Sequence, residues 1–311
     1  MFFALIAGDK ETFSRLLSWS NDNLSNGELG KVLPAWQWGK SDNGEWKILD
    51  KNAASDADLW MAYALMEAGR LWQQDDYLER GRNLSQQILQ QEVIPLPGLG
   101  HTLLPGPYGF NPEPSLWRLN PSYAPVQLLR YFSENDKRWL AVLNSSIKLI
   151  HKSSHKGFTP DWVQFRLRKG VVRDSQTQGK GSYDAIRVYL WAGMLDVNEP
   201  HRTDLLTKLS PMMRHIEKHQ LPPEQVDTDN GKTVNAGPIG FSAALLPFLA
   251  ASNSSHGLIS QLSRLLEQPL SQKSKDYYNM VLGLFGLGWH QEKYRFSDNG
   301  QLLLPRAVTC Q

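Results

Sequence analysis

The sequence predicts an all-α fold, a toroid of inner and outer helices with small β-hairpins in its loops. Three observations carry that expectation. The stretch from Ala54 to Trp72, A-S-D-A-D-L-W-M-A-Y-A-L-M-E-A-G-R-L-W, is apolar or small from Leu59 to Gly69 apart from Glu67, and a helix apolar nearly all round is an inner one wrapped by others. Around it run amphipathic stretches with apolar residues at helical spacing, about ten helices in all. Nowhere does the composition shift to that of a linker, and no clean internal repeat is visible.

Taken in order, Met1 to Asp9 (M-F-F-A-L-I-A-G-D) lacks a basic n-region and a cleavage site, so it is not a secretory signal and reads as an element entered midway. Glu11 to Leu24 carries Phe13, Leu16, Leu17 and Trp19 on a helical stripe. Gly27 to Asp50 is a loop region with a hairpin turned at Asn43-Gly44. Ser55 is the N-cap candidate of the central helix, with Asp56 and Asp58 in its first turn, where the dipole and free N–H groups favour carboxylates. Successive helical residues lie about 100° apart, so these two aspartates point to different sides; one can cap or pair while the other faces a cleft. A helix over Asp75 to Val93 follows. Ile94 to Pro121 is rich in glycine and proline and cannot be regular helix, and so long a loop is usually functional. Helical patterns resume over Ser122 to Ser133, Lys137 to His151, Tyr183 to Leu195, His201 to His219, Phe241 to Ala251, Leu258 to Leu266 and Asp276 to Gly286. Trp289 to Leu304 reads as a closing hairpin around Asn299-Gly300.

Composition narrows the function classes. In 311 residues, 41% are hydrophobic and 21% charged, ordinary for a globular protein. A net charge of +2 offers no case for nucleic acid or an anionic membrane surface. The weakly polar run Gly240 to Ala251 is too short to span a bilayer and reads as a core helix. Cys310 is the only cysteine, so no internal disulfide can form. Eleven tryptophans are the stronger signal. Trp36 and Trp38 (P-A-W-Q-W-G-K), Trp117 (S-L-W-R-L-N-P-S-Y) and Trp162 (T-P-D-W) sit beside polar, glycine or proline residues. Aromatics with one wet edge suit a groove that stacks on sugar rings, although core filling accounts for many equally well.

The A-S-D-A-D stretch, followed by a methionine-alanine pair, resembles the signature of glycoside hydrolase family 8, the inverting cellulases, chitosanases and xylanases. Matches run from Met1 to the end of the chain. The resemblance implies an (α/α)6 barrel, a single catalytic domain over residues 1–311 lacking its N-terminal segment, and a groove across the N-terminal ends of the inner helices. It implies that Asp56 holds and distorts the sugar at the cleavage point. Ser182 to Trp191, S-Y-D-A-I-R-V-Y-L-W, places Asp184 at the start of an apolar helix with Arg187 three residues later on the same face. By itself this reads equally as a capping aspartate with an ion pair. In the family, the corresponding aspartate resembles the general base, with Tyr183 and Arg187 as neighbours that orient it and contact sugar.

Inversion requires one carboxylic acid to protonate the leaving oxygen and one carboxylate to deprotonate water on the opposite sugar face, about 6.5–9.5 Å apart. The family's acid is a glutamate just before a segment that Met1-Phe2-Phe3-Ala4-Leu5 resembles, so the resemblance places it a few positions ahead of Met1. The chain is therefore expected to keep the base and lose leaving-group protonation, about 10²–10⁴-fold in rate. Asn120-Pro121-Ser122-Tyr123 resembles the family's groove motif beside a stacking aromatic, here Trp117. Trp36, Trp38, Arg118, Tyr277 and Tyr278 complete the candidate sugar contacts.

Two other patterns carry less. His215 and His219 share a helical face without the order of a zinc protease or a third ligand, and no metal is expected. Ser182 lacks the G-x-S-x-G frame of a serine nucleophile. The reading is thus an endo-β-1,4-glucanase acting by inversion without cofactor. Its partner is a β-1,4-glucan, with no nucleic acid and no membrane insertion; chitosan and xylan are the neighbouring substrates, and a non-catalytic glucan-binding protein is the rival. The resemblance further implies a periplasmic or secreted location and association with the cellulose synthase complex in cellulose biosynthesis.

Overall fold

The computed structural model describes residues 1–270 and 276–305; Cys310 lies outside them. The chain divides into two units, Met1–Leu119 with Leu128–Ser145, and Asn120–Gln127 with Ser146–Gln311. Among the described residues are eleven α-helices and twelve strands of two to five residues, so the helical expectation stands while strands are more numerous than expected.

In the first unit, Phe2–Ile6 (α1) and Lys10–Leu24 (α2) precede a hairpin of Gln37–Lys40 (β1) and Trp46–Asp50 (β2). Asp9 caps α2, its Oδ1 accepting the Thr12 N–H at 2.9 Å. Gly44 takes the left-handed conformation the hairpin turn needs, with φ +86°. Ser55–Trp72 (α3) is the inner helix, with Leu59, Ala62, Tyr63, Ala64 and Leu65 fully buried. Asp75–Gln91 (α4) lies directly along it. Two glycines set that approach: a Cβ on Gly69 would stand 2.7 Å from the Leu78 nitrogen, and one on Gly81 2.8 Å from the Met66 nitrogen.

Ser55 is not the cap expected of it. The N-cap is Ala54, without a side-chain cap bond, because Ser55 is already inside the helix and fully buried. Its N–H donates to the Pro105 carbonyl at 3.0 Å, so the loop backbone takes over one of the orphan donors of the helix start. The glycine- and proline-rich stretch contains no helix up to Leu119, as expected, but it is not structureless. Val93–Leu96 (β3) pairs with Gly100–Leu103 (β4), and Leu116–Leu119 (β5) follows. Val126–Asn135 (α5) and Arg138–Ser153 (α6) each have residues in both units.

The second unit begins with a 3-10 turn, Pro121–Tyr123, so α5 starts four residues later than the stripe from Ser122 predicts. Val163–Arg166 (β6) and Gly170–Arg173 (β7) form a hairpin, and Lys180–Gly181 (β8) leads to Ile186–Gly193 (α7). Arg202–His219 (α8) precedes Pro223–Asp227 (β9) and Thr233–Ala236 (β10), which extend β8 into a three-stranded sheet. Ile239–Ala251 (α9) is the core of this unit, buried almost throughout and including Pro247. Ser255–Glu267 (α10) and Tyr277–His290 (α11) pack on it. The inner contacts are again glycine-mediated: a Cβ on Gly193 would fall 2.2 Å from the Phe248 nitrogen, and one on Gly286 1.8 Å from the Ala243 carbonyl oxygen. Arg295–Phe296 (β11) and Leu302–Leu303 (β12) make the closing hairpin, shorter than predicted because α11 runs on through Trp289. No helix among the described residues is long and apolar enough to cross a membrane.

Candidate active site

The second unit gathers most of the predicted residues around Asp184. Arg187 Nη2 donates to Asp184 Oδ1 at 2.5 Å and to Ser122 Oγ at 2.9 Å. The Ser122 hydroxyl in turn donates to Asn120 Oδ1 at 2.7 Å, and the Ser122 N–H donates to the same oxygen at 3.0 Å. Trp191 Nε1 holds the Ser122 carbonyl at 2.9 Å. The Asn-Pro-Ser-Tyr turn is therefore the platform for Arg187, whose guanidinium also lies over the Tyr123 ring, 5.4 Å from its centroid. Asn120 and Ser122 are buried, so their part is to brace, while Tyr123, Asp184 and Arg187 are half-buried and keep access to solvent.

Tyr183 is exposed beside Asp184. Its hydroxyl donates to Glu224 Oε1 at 3.2 Å, and Asn235 Nδ2 holds the other Glu224 oxygen at 3.0 Å. Loss of solvent around the Tyr183 phenol, and then the Glu224 charge, raise its pKa above the ordinary tyrosine range. The Tyr278 hydroxyl donates to the Tyr183 carbonyl, with the two rings 6.1 Å apart. Of the two candidate tyrosines on α11, Tyr278 thus joins the group, while Tyr277 is 73% exposed and turned to solvent.

Sequence reasoning missed Asp161 and Glu224. Asp161 Oδ1 accepts the N–H groups of Ser182, Asp184 and Ala185 at 2.7, 3.0 and 2.7 Å. This explains why the helix expected from Tyr183 begins only at Ile186: the preceding amides are engaged by a side chain outside the helix. The T-P-D-W motif holds the signal, since an aspartate in a turn is a ready acceptor for amides. Glu224, in L-P-P-E-Q, gives no such sign.

The first unit holds the other predicted residues. Asp56 is half-buried and accepts its neighbour Ala57's N–H at 2.9 Å, whereas Asp58 is 1% exposed; the two do point to different sides. Asp58 lies against Glu92, also fully buried. Burial, then the Glu92 and Asp56 charges, push Asp58 well above the usual carboxylate range, and burial with the Asp56 charge pushes Glu92 up to about 8. Trp36 is 55% exposed, its indole bonded to Asp50. Trp38 stacks on Trp46 at 4.9 Å and meets Trp19 edge-on at 5.2 Å, so part of its ring is already covered. Trp117 is half-buried.

Comparison with known proteins gives this arrangement its class, a glycoside hydrolase. Residues 1–292 match the model of glycosyl hydrolases family 8, and the chain belongs to that family. It is 44% identical over 310 residues to an endoglucanase of Escherichia coli O157:H7, covering 100% of this chain and 83% of the relative. An endoglucanase of Xanthomonas axonopodis pv. citri is 45% identical over 307 residues, covering 97% and 79%. The crystal structure of an endo-1,4-D-glucanase from Vibrio fischeri ES114 superposes with a TM-score of 0.90 at 44% identity, over 97% of this chain and 88% of that one. The fold class is accordingly the family's (α/α)6 class.

Proposed function

We propose that this chain is an endo-β-1,4-glucanase that hydrolyses cellulose or a related glucan with inversion. The observation that carries this reading is the half-buried Asp184 carboxylate fixed by Arg187, which is itself braced on Ser122. The endoglucanase names of relatives at 44–45% identity support the substrate class. The match of the family model over residues 1–292 supports reading the chain as one catalytic domain.

In this mechanism a water oxygen attacks C1 on the face opposite the leaving group. Asp184 takes its proton, and a carboxylic acid protonates the departing oxygen. Arg187 keeps the base in one orientation, since a guanidinium bound at two points loses little freedom. Within the second unit, Tyr123, Tyr183 and Tyr278 offer ring faces and hydroxyls to the glucan; within the first, Asp56 is the carboxylate we propose to hold sugar, with Trp36, Trp38 and Trp117 as the candidate stacking faces. Because polymeric glucan lies outside the cell, the protein acts in the periplasm or as a secreted enzyme, trimming product of a cellulose synthase.

A substrate with a leaving group that needs no proton isolates the base. On a cello-oligosaccharyl β-fluoride, the chain is expected to release fluoride and the α-configured sugar, and Asp184→Asn to abolish turnover while retaining cello-oligosaccharide binding. Undiminished turnover by Asp184→Asn would remove Asp184 from the mechanism; binding of glucan without any turnover by the parent chain would leave a carbohydrate-binding protein instead.

A further inference from the structure

We propose that Asp161 is a positioning residue for the base: it fixes the backbone of the turn that carries Asp184. This rests on the assignment of Asp184 as base. One oxygen, Asp161 Oδ1, receives three amides, those of Ser182, Asp184 itself and Ala185, all within 3.0 Å. Charge-assisted bonds of this kind are short and strong, and here one of them ends on the nitrogen of the base's own residue.

The carboxylate is anchored in its turn. The Asp161 N–H donates to the Lys180 carbonyl at 2.8 Å. Two residues earlier, the Thr159 N–H donates to the buried Tyr189 hydroxyl on α7 at 3.2 Å. Gly181 lets the two segments come together, since a Cβ there would lie 2.1 Å from the Thr159 carbonyl oxygen. On the other side of the turn, Ser182 Oγ donates to the Glu224 carbonyl at 2.5 Å. The turn is thus clamped from both sides, and only the Asp161 clamp reaches the Asp184 amide.

Burial raises Asp161 to about 6; the three amides oppose that rise and the Asp184 charge adds to it. Asp184 and the Tyr189 phenol are the titratable groups that face it. A carboxylate kept in so dry a place would be costly were it only a helix cap, which a serine or asparagine provides without burying a charge.

The test is a double-mutant cycle on the cello-oligosaccharyl β-fluoride. Asp161→Glu keeps the charge but moves the acceptor by about one methylene, enough to shift the turn. It is expected to lower kcat about ten- to hundredfold with KM within threefold. Asp161→Asn, which keeps an acceptor oxygen in place, stays within about fivefold of the parent, and Asp161→Ala falls at least as far as the glutamate variant. In Asp184→Ala the base is gone, and added azide attacks C1 directly, its nitrogen forming the new bond as fluoride leaves with the electron pair. That azide-supported rate is expected to be unchanged, within twofold, when Asp161→Glu is added. If Asp161→Glu slows the azide reaction as much as the water reaction, or leaves kcat of the parent within twofold, Asp161 does not act through Asp184. If Asp184→Ala is not slowed at all, the base assignment itself fails, an outcome separable from the first. Should Asp161→Ala not fold, the glutamate variant alone decides.

Discussion

Arg187, in the first turn of α7, meets Asp184 of the preceding turn at 2.5 Å, and the same nitrogen reaches the Ser122 hydroxyl at 2.9 Å. A lysine in this place could approach the carboxylate but could not reproduce the packing of a planar guanidinium over Tyr123. Arg187→Lys is therefore expected to lower kcat on a cello-oligosaccharyl fluoride about ten- to hundredfold, with a smaller effect on KM. Steady-state kinetics check this, and a change under twofold would mean that Asp184 holds its orientation unaided.

Tyr277 and Tyr278 are adjacent in sequence but differ in setting. Tyr278 donates its hydroxyl to the Tyr183 carbonyl, and Tyr277 faces solvent. Tyr278→Phe removes that bond and frees the Tyr183 backbone beside the base, so cello-oligosaccharide affinity or kcat should fall about three- to tenfold. Tyr277→Phe should match the parent in both. Calorimetric titration with cello-oligosaccharides, beside the kinetics, distinguishes the pair; equal losses in both variants would contradict the assignment of Tyr278 alone to the site.

The inner helices α3 and α9 were legible because burial on nearly all sides leaves a long run that is apolar or small apart from Glu67 in α3 and Ser242 in α9. The pairing of Asp184 with Arg187 was legible because it is local, three residues apart across the start of α7. Asp161 was not: it acts 23 residues before the amide it holds, through a loop whose path sequence periodicity does not encode. The same reason hid the start of α3, where the loop carbonyl of Pro105 receives the Ser55 amide and no side chain caps the helix. Short hairpins were found where Asn-Gly marks the turn, at Gly44 and Gly300, and missed where proline-rich strands such as β3 carry no alternation.

The glycines between inner helices make a stability prediction. At Gly286 an added Cβ would stand 1.8 Å from the Ala243 carbonyl oxygen, a backbone atom that cannot swing away. Helix propensity alone would favour alanine over glycine by about 1 kcal/mol. The clash reverses that sign: separating α11 from α9 strips buried contacts along both, and overpacking of this kind costs roughly 1–3 kcal/mol or more. Gly286→Ala is expected to unfold at lower urea concentration than the parent, whereas Gly98→Ala, with open space around it but a left-handed φ of +80°, should lose only about 1 kcal/mol. Equal midpoints for parent and Gly286→Ala would show that the helices part without penalty.

Asp58 and Glu92 yield a pH dependence whose sign can be worked out. Folding raises Glu92 from 4.5 to about 8, through burial and the Asp56 charge, and Asp58 is raised as well. A carboxyl raised on folding favours the folded state when protonated. Its contribution is full below about pH 4.5 and is lost as pH climbs through about 8, because the buried group must then ionise next to other carboxylates. Glu92→Gln keeps the shape and cannot ionise. Thermal unfolding from pH 4 to pH 9 should therefore show the variant close to the parent at the acid end and progressively more stable toward pH 9, on the order of a few kcal/mol there. Parallel curves over the whole range would mean that Glu92 finds a compensating proton donor or cation when it ionises, and that Asp58 does not share its proton. A difference that grows with pH identifies Glu92 as a buried carboxyl that the fold favours in its protonated form, beside Asp58 in the first turn of α3.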